Sequence, residues 1–222
     1  KHGSRTLLKK GDKEVLPSSL SLQSIVEECL PLASLLEEAS SFPSKLEEMF
    51  LLQKQLNDST NGKNWELGLN KFNKEINWLR CIHMEVAELI DSTPWKHWKN
   101  INSTPDMNNI HVELVDIWHF LMSYILQETN VPKAVSLVNT HCIYEAAQNI
   151  DVNLIIKESE KLSYIALAIE TKNMPSFSGI ERFIEQFFRA CKSAGLSFSW
   201  LQKLYIGKNC LNQFRQDNGY KE

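Results

Sequence analysis

The 222 residues carry 24 Lys and Arg against 27 Asp and Glu, a net charge of -3 with both signs interspersed, which excludes an electrostatic footprint for duplex nucleic acid or an anionic membrane. A composition that is 43% hydrophobic and 23% charged is that of an ordinary soluble protein able to bury its own core, and no apolar run reaches the ~18 residues of a membrane span. The five cysteines are widely spaced and form no CxxC pair, so they read as reduced core thiols rather than as a disulfide framework or a zinc site.

Glycine and proline are sparse and the countable periodicity is close to 3.6, which predicts an all-α fold. Residues 1–43 are expected to form an N-terminal extension, a polar arm followed by a helix over about 20–40. Its first fifteen residues, KHGSRTLLKKGDKEV, lack the apolar segment of a secretory signal, so a cytoplasmic location is the expectation. Pro43 and Ser44 then open a helix through KLEEMFLLQKQLND, to about residue 58, and STNGKNWELGLN reads as a loop. A third helix is predicted over 73–92, stopped by Pro94, and a fourth over 106–129, opened by Pro105 and Asp106 and closed before Pro132. Weaker helical patterns follow near 134–149, 152–172, 177–193 and 198–216.

Two of these helices carry acids inside apolar runs. Glu85 and Glu88 lie among Ile82, Met84, Val86, Leu89 and Ile90; Glu113 and Asp116 lie among Val112, Leu114, Val115, Ile117 and Trp118. Residues three apart share a helix face. Chance supplies about three acidic pairs at that spacing in a chain of this composition, so one pair alone would be read as solvated surface. Two pairs in apolar sequence on successive helices can face one another if those helices pack antiparallel. Four close anions cannot stay ionised in a core, because desolvation and mutual repulsion both oppose it. A hard divalent cation with oxygen ligands, Mg²⁺ above all, resolves the conflict and leaves coordination for substrate phosphates.

Further along, Lys208, Asn212 and Arg215 stand at i, i+4 and i+7, so two cations and an amide share one face. Alone, such a triplet is more often a solvated basic stripe than a phosphate site. Gln53 and Asn57, at i and i+4 in FLLQKQLND, also face one way, and by themselves would be surface polars. Trp95 and Trp98 are candidates for packing on a ligand, His119 is otherwise a satisfied core histidine, and Trp78 and Trp118 read as core.

The spacing EVAE, with ELVD beginning twenty-eight residues after the first Glu, resembles the ExxE…ExxD signature of the all-α nucleoside triphosphate pyrophosphatases. More narrowly, INWLRCIHMEVAELIDSTPWKHWKN and VELVDIWHF resemble the dimeric dUTPases, over about Lys45 to Lys221. The resemblance implies a catalytic domain over 44–222, the homodimeric habit of that family, and Mg²⁺ held by Glu85, Glu88, Glu113 and Asp116; Glu85 is the expected general base. It implies that Lys208, Asn212, Arg215, Tyr220 and Lys221, in KNCLNQFRQDNGYK, contact the nucleotide, that Gln53 and Asn57 read uracil and that His119 lies near the base, against which Trp98 is an aromatic candidate. The implied reaction is hydrolysis of dUTP, with dUDP as a further substrate, to dUMP. A dCTP-preferring or broad-specificity house-cleaning pyrophosphatase is the nearest alternative, since the acids are common to the whole superfamily. Di-iron bundles need Glu-x-x-His on two helices, whereas only Asp116 and His119 approach that pattern. A helical interaction protein gives no reason for the buried acids.

Overall fold

The computed structural model describes residues 42–99 and 103–218. Among them are seven α-helices: α1 (Phe42–Asn61), α2 (Trp78–Asp91), α3 (Met107–Glu128), α4 (Val131–Asn139), α5 (Val152–Glu170), α6 (Ser176–Ser193) and α7 (Phe198–Asp217), with a single 3-10 turn at Trp65–Leu67. The all-α expectation holds for these residues. The predicted helix at 20–40 and the arm before it lie outside the described residues, as do Tyr220 and Lys221.

The bundle is organised around α3, which packs against α1, α2, α4, α6 and α7. Ile110, Leu114, Val115, Ile117, Trp118, Leu121, Met122, Ile125 and Leu126 are all buried; apolar residues on every side of a helix make it a central one. Trp118 is clamped by aromatic neighbours, stacked on Phe187 at 5.1 Å between ring centres with Phe50 edge-on at 6.3 Å. Asp106 starts the helix by accepting the backbone N–H of Asn109 at 3.0 Å. The preceding helix ends close by: the Asp106 N–H donates to the Ser92 carbonyl at 2.9 Å, and the Asn109 amide donates to Ser92 Oγ at 2.7 Å. These bonds tie the end of α2 to the start of α3, so the two helices run antiparallel, as their short connection requires.

The buried stripe of α1 is Leu46, Met49, Phe50, Gln53, Leu56 and Asn57, a regular i, i+3, i+4 progression in which two amides occupy core positions. This is the first structural oddity that bears on function.

Three boundaries differ from those predicted. The helix expected over 73–92 begins only at Trp78, because Asn70 builds a tight turn before it: its side chain accepts the backbone N–H groups of Phe72 (2.9 Å) and Lys74 (3.0 Å), with Asn73 at φ 59°. Phe72, Ile76 and Leu79, at i, i+4 and i+7, imitate a helical apolar period, yet Phe72 is exposed. Asn77 then caps the helix proper, accepting from the Arg80 N–H at 2.8 Å. The helix expected over 134–149 is instead Val131–Asn139. Pro132 lies in its first turn, where a missing N–H costs nothing. The chain beyond Asn139 is held out of helix by long-range bonds, from Tyr144 Oη to the Leu196 carbonyl at 2.7 Å and from the Ala147 N–H to the Lys192 carbonyl at 3.0 Å. Third, α1 continues past the predicted residue 58 to Asn61 and stops at Gly62, whose φ of 95° suits glycine.

Cys142 and Cys191 are buried free thiols as expected, and Cys81 is half-buried. Cys210, expected in the core, is exposed, because it falls on the outer face of α7. No helix among the described residues is long and apolar enough to cross a membrane.

Candidate active site

On α2 and α3 the three-residue spacing turns the acids toward the seam between the two helices. Carboxylate oxygens of Glu85, Glu113 and Asp116 lie within 4.8 Å of one another. Glu88, one turn beyond Glu85, is exposed at the rim, and its negative charge acts on all three. Glu113 is buried and accepts from the Asn109 amide at 2.9 Å. Asp116 is the one member with a cation in contact, accepting from Lys208 Nζ at 2.8 Å.

These carboxylates are electrostatically frustrated as they stand. Burial, then the charge of Asp116 and a hydrogen bond with Glu113, push Glu85 up to about 8 from an ordinary 4.5. Burial is also the main cause raising Glu113 and Asp116, with Lys208 opposing the rise at Asp116. A set of hard oxygen donors, withdrawn from water and with their affinity for protons raised, fits a divalent metal ion.

Beside the acids, α1, α3 and α7 enclose a cleft of about 480 Å³ lined by Gln53, Asn57, Asp116, His119, Asn212 and Arg215, with Trp78 and Phe120 as aromatic wall. This size suits a nucleotide-scale ligand. Asp116 therefore belongs both to the acidic cluster and to the cleft wall. Lys208, Asn212 and Arg215 come from one face of α7, as their spacing predicts; Arg215 and Lys208 both act electrostatically on Asp116.

The floor of the cleft is a buried polar network. Gln53 Nε2 donates to Ser123 Oγ at 3.0 Å and to Asn57 Oδ1 at 3.2 Å, while Gln53 Oε1 faces His119 Nδ1 at 2.7 Å. Asn57 Nδ2 donates to the same Ser123 Oγ at 3.0 Å. Tyr205, fully buried on α7, reaches Gln53 Oε1 at 3.2 Å and the Met49 carbonyl at 3.0 Å through its hydroxyl, and its ring lies 4.5 Å from that of His119. Burial, with the charge of Lys208 second, lowers His119 to about 3, so its imidazole is neutral. Among the described residues its Nε2 has no hydrogen-bond partner, and neither has Trp78 Nε1, although both atoms are buried and both residues line the cleft. Orphaned polar atoms of this kind mark a place where a ligand completes the bonding.

Trp95 and Trp98 stay apart from this site. They are exposed, pair edge-to-face at 5.6 Å, and are tied to the end of α2 through Trp95 Nε1 donating to Asp91 at 3.0 Å. Neither lines the cleft. Trp78, read as core, is both core and cleft wall: it packs edge-on to Trp65 and stacks with Phe120. Ser123 and Tyr205 escaped the sequence reading. Ser123 could have been found by extending the register of α3, since Asp116, His119 and Ser123 stand at i, i+3 and i+7. Tyr205 joins the site through packing of α7 on α1, for which the sequence carries no local signal.

No curated protein matches the chain. A family model described as dUTPase matches residues 45–220.

Proposed function

The chain belongs to the dUTPase family and is a dUTP diphosphatase; from that premise we propose how its residues divide the work. Glu85, Glu88, Glu113 and Asp116 would hold a divalent ion, Mg²⁺ being the one whose hard-oxygen preference and habit of sharing coordination with phosphates suit these donors. When bound, that ion supplies charge neutralisation for the phosphate chain and polarises a water. Glu85 accepts a proton from the attacking water, the role of a carboxylate kept ionised by a neighbouring cation. Lys208, Asn212 and Arg215 on α7, with Tyr220 and Lys221 beyond the described residues, bind and orient the phosphate tail. Arg presents a planar fork and Lys a compact charge.

Base selection falls to the floor of the cleft. A planar pyrimidine enters beside the wall formed by the stacked Trp78 and Phe120 and meets Gln53, Asn57 and His119. His119 Nε2 is a bare acceptor, suited to the ring N3–H that uracil has and cytosine lacks. Trp98 is left for contacts outside the cleft. Hydrolysis yields dUMP and pyrophosphate, and dUDP, with one phosphate fewer, meets the same base and metal groups.

The observation that carries this reading is the sharing of Asp116 between the acidic cluster and the cleft. It joins a cation site to a base-sized slot through one shared side chain. Exposed Met84 on α2 and Tyr164 and Leu167 on the adjoining α5 support a homodimer, which light scattering tests directly. We assign the enzyme to the cytoplasm on the free thiols. The experiment for the reaction is release of pyrophosphate from dUTP, dCTP and dTTP, and of orthophosphate from dUDP, with Mg²⁺ and with chelator. Turnover of dUTP that chelator abolishes is expected; preference for dCTP would reverse the base assignment.

A further inference from the structure

We propose that Ser123, which is out of reach of the base, sets the polarity of the base slot and thereby makes it select rings that carry N3–H. This rests on the reading of the cleft as a pyrimidine site. Ser123 is completely buried on α3, one turn beyond His119. Its Oγ donates its single proton to the His119 carbonyl at 2.8 Å. With that proton committed, the oxygen offers lone pairs only.

Two amides end on those lone pairs, Gln53 Nε2 and Asn57 Nδ2, each at 3.0 Å. A carboxamide that turns its NH₂ group toward Ser123 must turn its oxygen the other way. For Gln53 the other way is His119 Nδ1, at 2.7 Å. Two acceptors cannot share that contact, so Nδ1 carries the imidazole proton and Nε2 keeps its lone pair. Because the ring is neutral, there is no second proton to place. Among the described residues Nε2 has no partner, and it is, with Trp78 Nε1, one of two such buried atoms at the cleft.

The chain of consequence runs from one hydroxyl proton, through one amide orientation, to one tautomer. An acceptor at Nε2 pairs with the N3–H of uracil and meets the N3 lone pair of cytosine with repulsion. Were the Gln53 amide reversed, Nε2 would bear hydrogen and the preference would invert. Tyr205 does not decide between the two orientations, since its hydroxyl can also donate to the Met49 carbonyl. Ser123 decides it.

Two measurements test this. In protein labelled with ¹⁵N at histidine, the shifts of His119 distinguish a protonated from a bare ring nitrogen. The wild type should show Nδ1 protonated and Nε2 bare, and the opposite finding overturns the proposal without any variant. Ser123→Ala should populate the Nε2–H tautomer and lower the ratio of kcat/KM for dUTP over dCTP by about tenfold to a hundredfold. Ser123→Thr, which keeps the hydroxyl, should restore both. A folded Ser123→Ala protein with unchanged ratio and unchanged tautomer overturns the role of Ser123. If His119→Ala leaves the ratio unchanged as well, the base-slot reading fails with it; a ratio that moves in His119→Ala alone leaves that reading standing and removes only Ser123.

Discussion

A carboxylate buried among other carboxylates does two different jobs depending on whether a cation is present, and Glu85 is the sharpest case. Burial and then its acidic neighbours raise it to about 8, and the same crowding makes it responsive to a metal ion, beside which it is ionised and can take a proton from water. Glu85→Gln keeps the shape and removes the charge. It should lower kcat for dUTP by at least about a hundredfold, the scale of a lost general base, while the far-ultraviolet circular dichroism of the helices stays unchanged. Pyrophosphate release within a few-fold of wild type would remove Glu85 from the chemistry. Gln53 is a different kind of residue. It is the hub through which His119, Asn57, Ser123 and Tyr205 are satisfied, so truncating it strands buried donors and acceptors. Gln53→Ala should cost about 1–3 kcal/mol of stability by denaturant titration and also raise KM for dUTP. An unchanged denaturation midpoint would show that water replaces the amide without penalty.

At the scale of elements, α7 approaches the α2–α3 pair with Lys208 in front. Its ammonium sits 2.8 Å from Asp116 Oδ2, so the lysine already neutralises part of the anionic cluster that a divalent ion would use. Lysine and metal ion then compete for Asp116 until a phosphate chain draws the lysine away. Lys208→Met should therefore tighten divalent-ion binding without nucleotide, by about fivefold for an interaction of about 1 kcal/mol, and weaken binding of a nonhydrolysable dUTP analogue. Calorimetry of both ligands checks the opposed signs, and a variant that loses affinity for both would contradict the competition. Why some of these elements were legible in sequence and others were not follows from the range of the interactions involved. The acids and the basic stripe announce themselves because a helix repeats every three to four residues, and Asp106 marks the start of α3 by a local cap. The late start of α2 was hidden because Phe72 and Ile76 keep helical spacing while Asn70 closes a turn beneath them. The short α4 was hidden because what unravels residues 140–151 is Leu196 and Lys192, some fifty residues away. Likewise the amides of Gln53 and Asn57 look like surface until α3 and α7 close over them.

For the whole molecule, the buried titratable groups predict how stability depends on pH, and two of them pull in opposite directions. Glu85, with Glu113 and Asp116, is raised by folding. A group raised in the folded state supports folding fully below its ordinary value of 4.5 and loses that support as pH climbs to about 8. His119 is lowered from 6.5 to about 3; its support is complete above 6.5 and drains away as pH falls toward 3. Between 4.5 and 6.5 the two slopes oppose each other. Above 6.5 the histidine contributes no slope and the acids act alone. The metal-free protein should accordingly lose thermal stability between pH 6.5 and 8.5, and added Mg²⁺ should raise Tm more at pH 8.5 than at pH 6.5, because a bound ion stabilises the ionised acids it holds. Glu85→Gln, which has no charge to be penalised, should flatten the decline in chelator and raise Tm above wild type at pH 8.5. A wild-type Tm that stays level across that range in chelator would mean that the three carboxylates are not the uncompensated cluster their geometry describes.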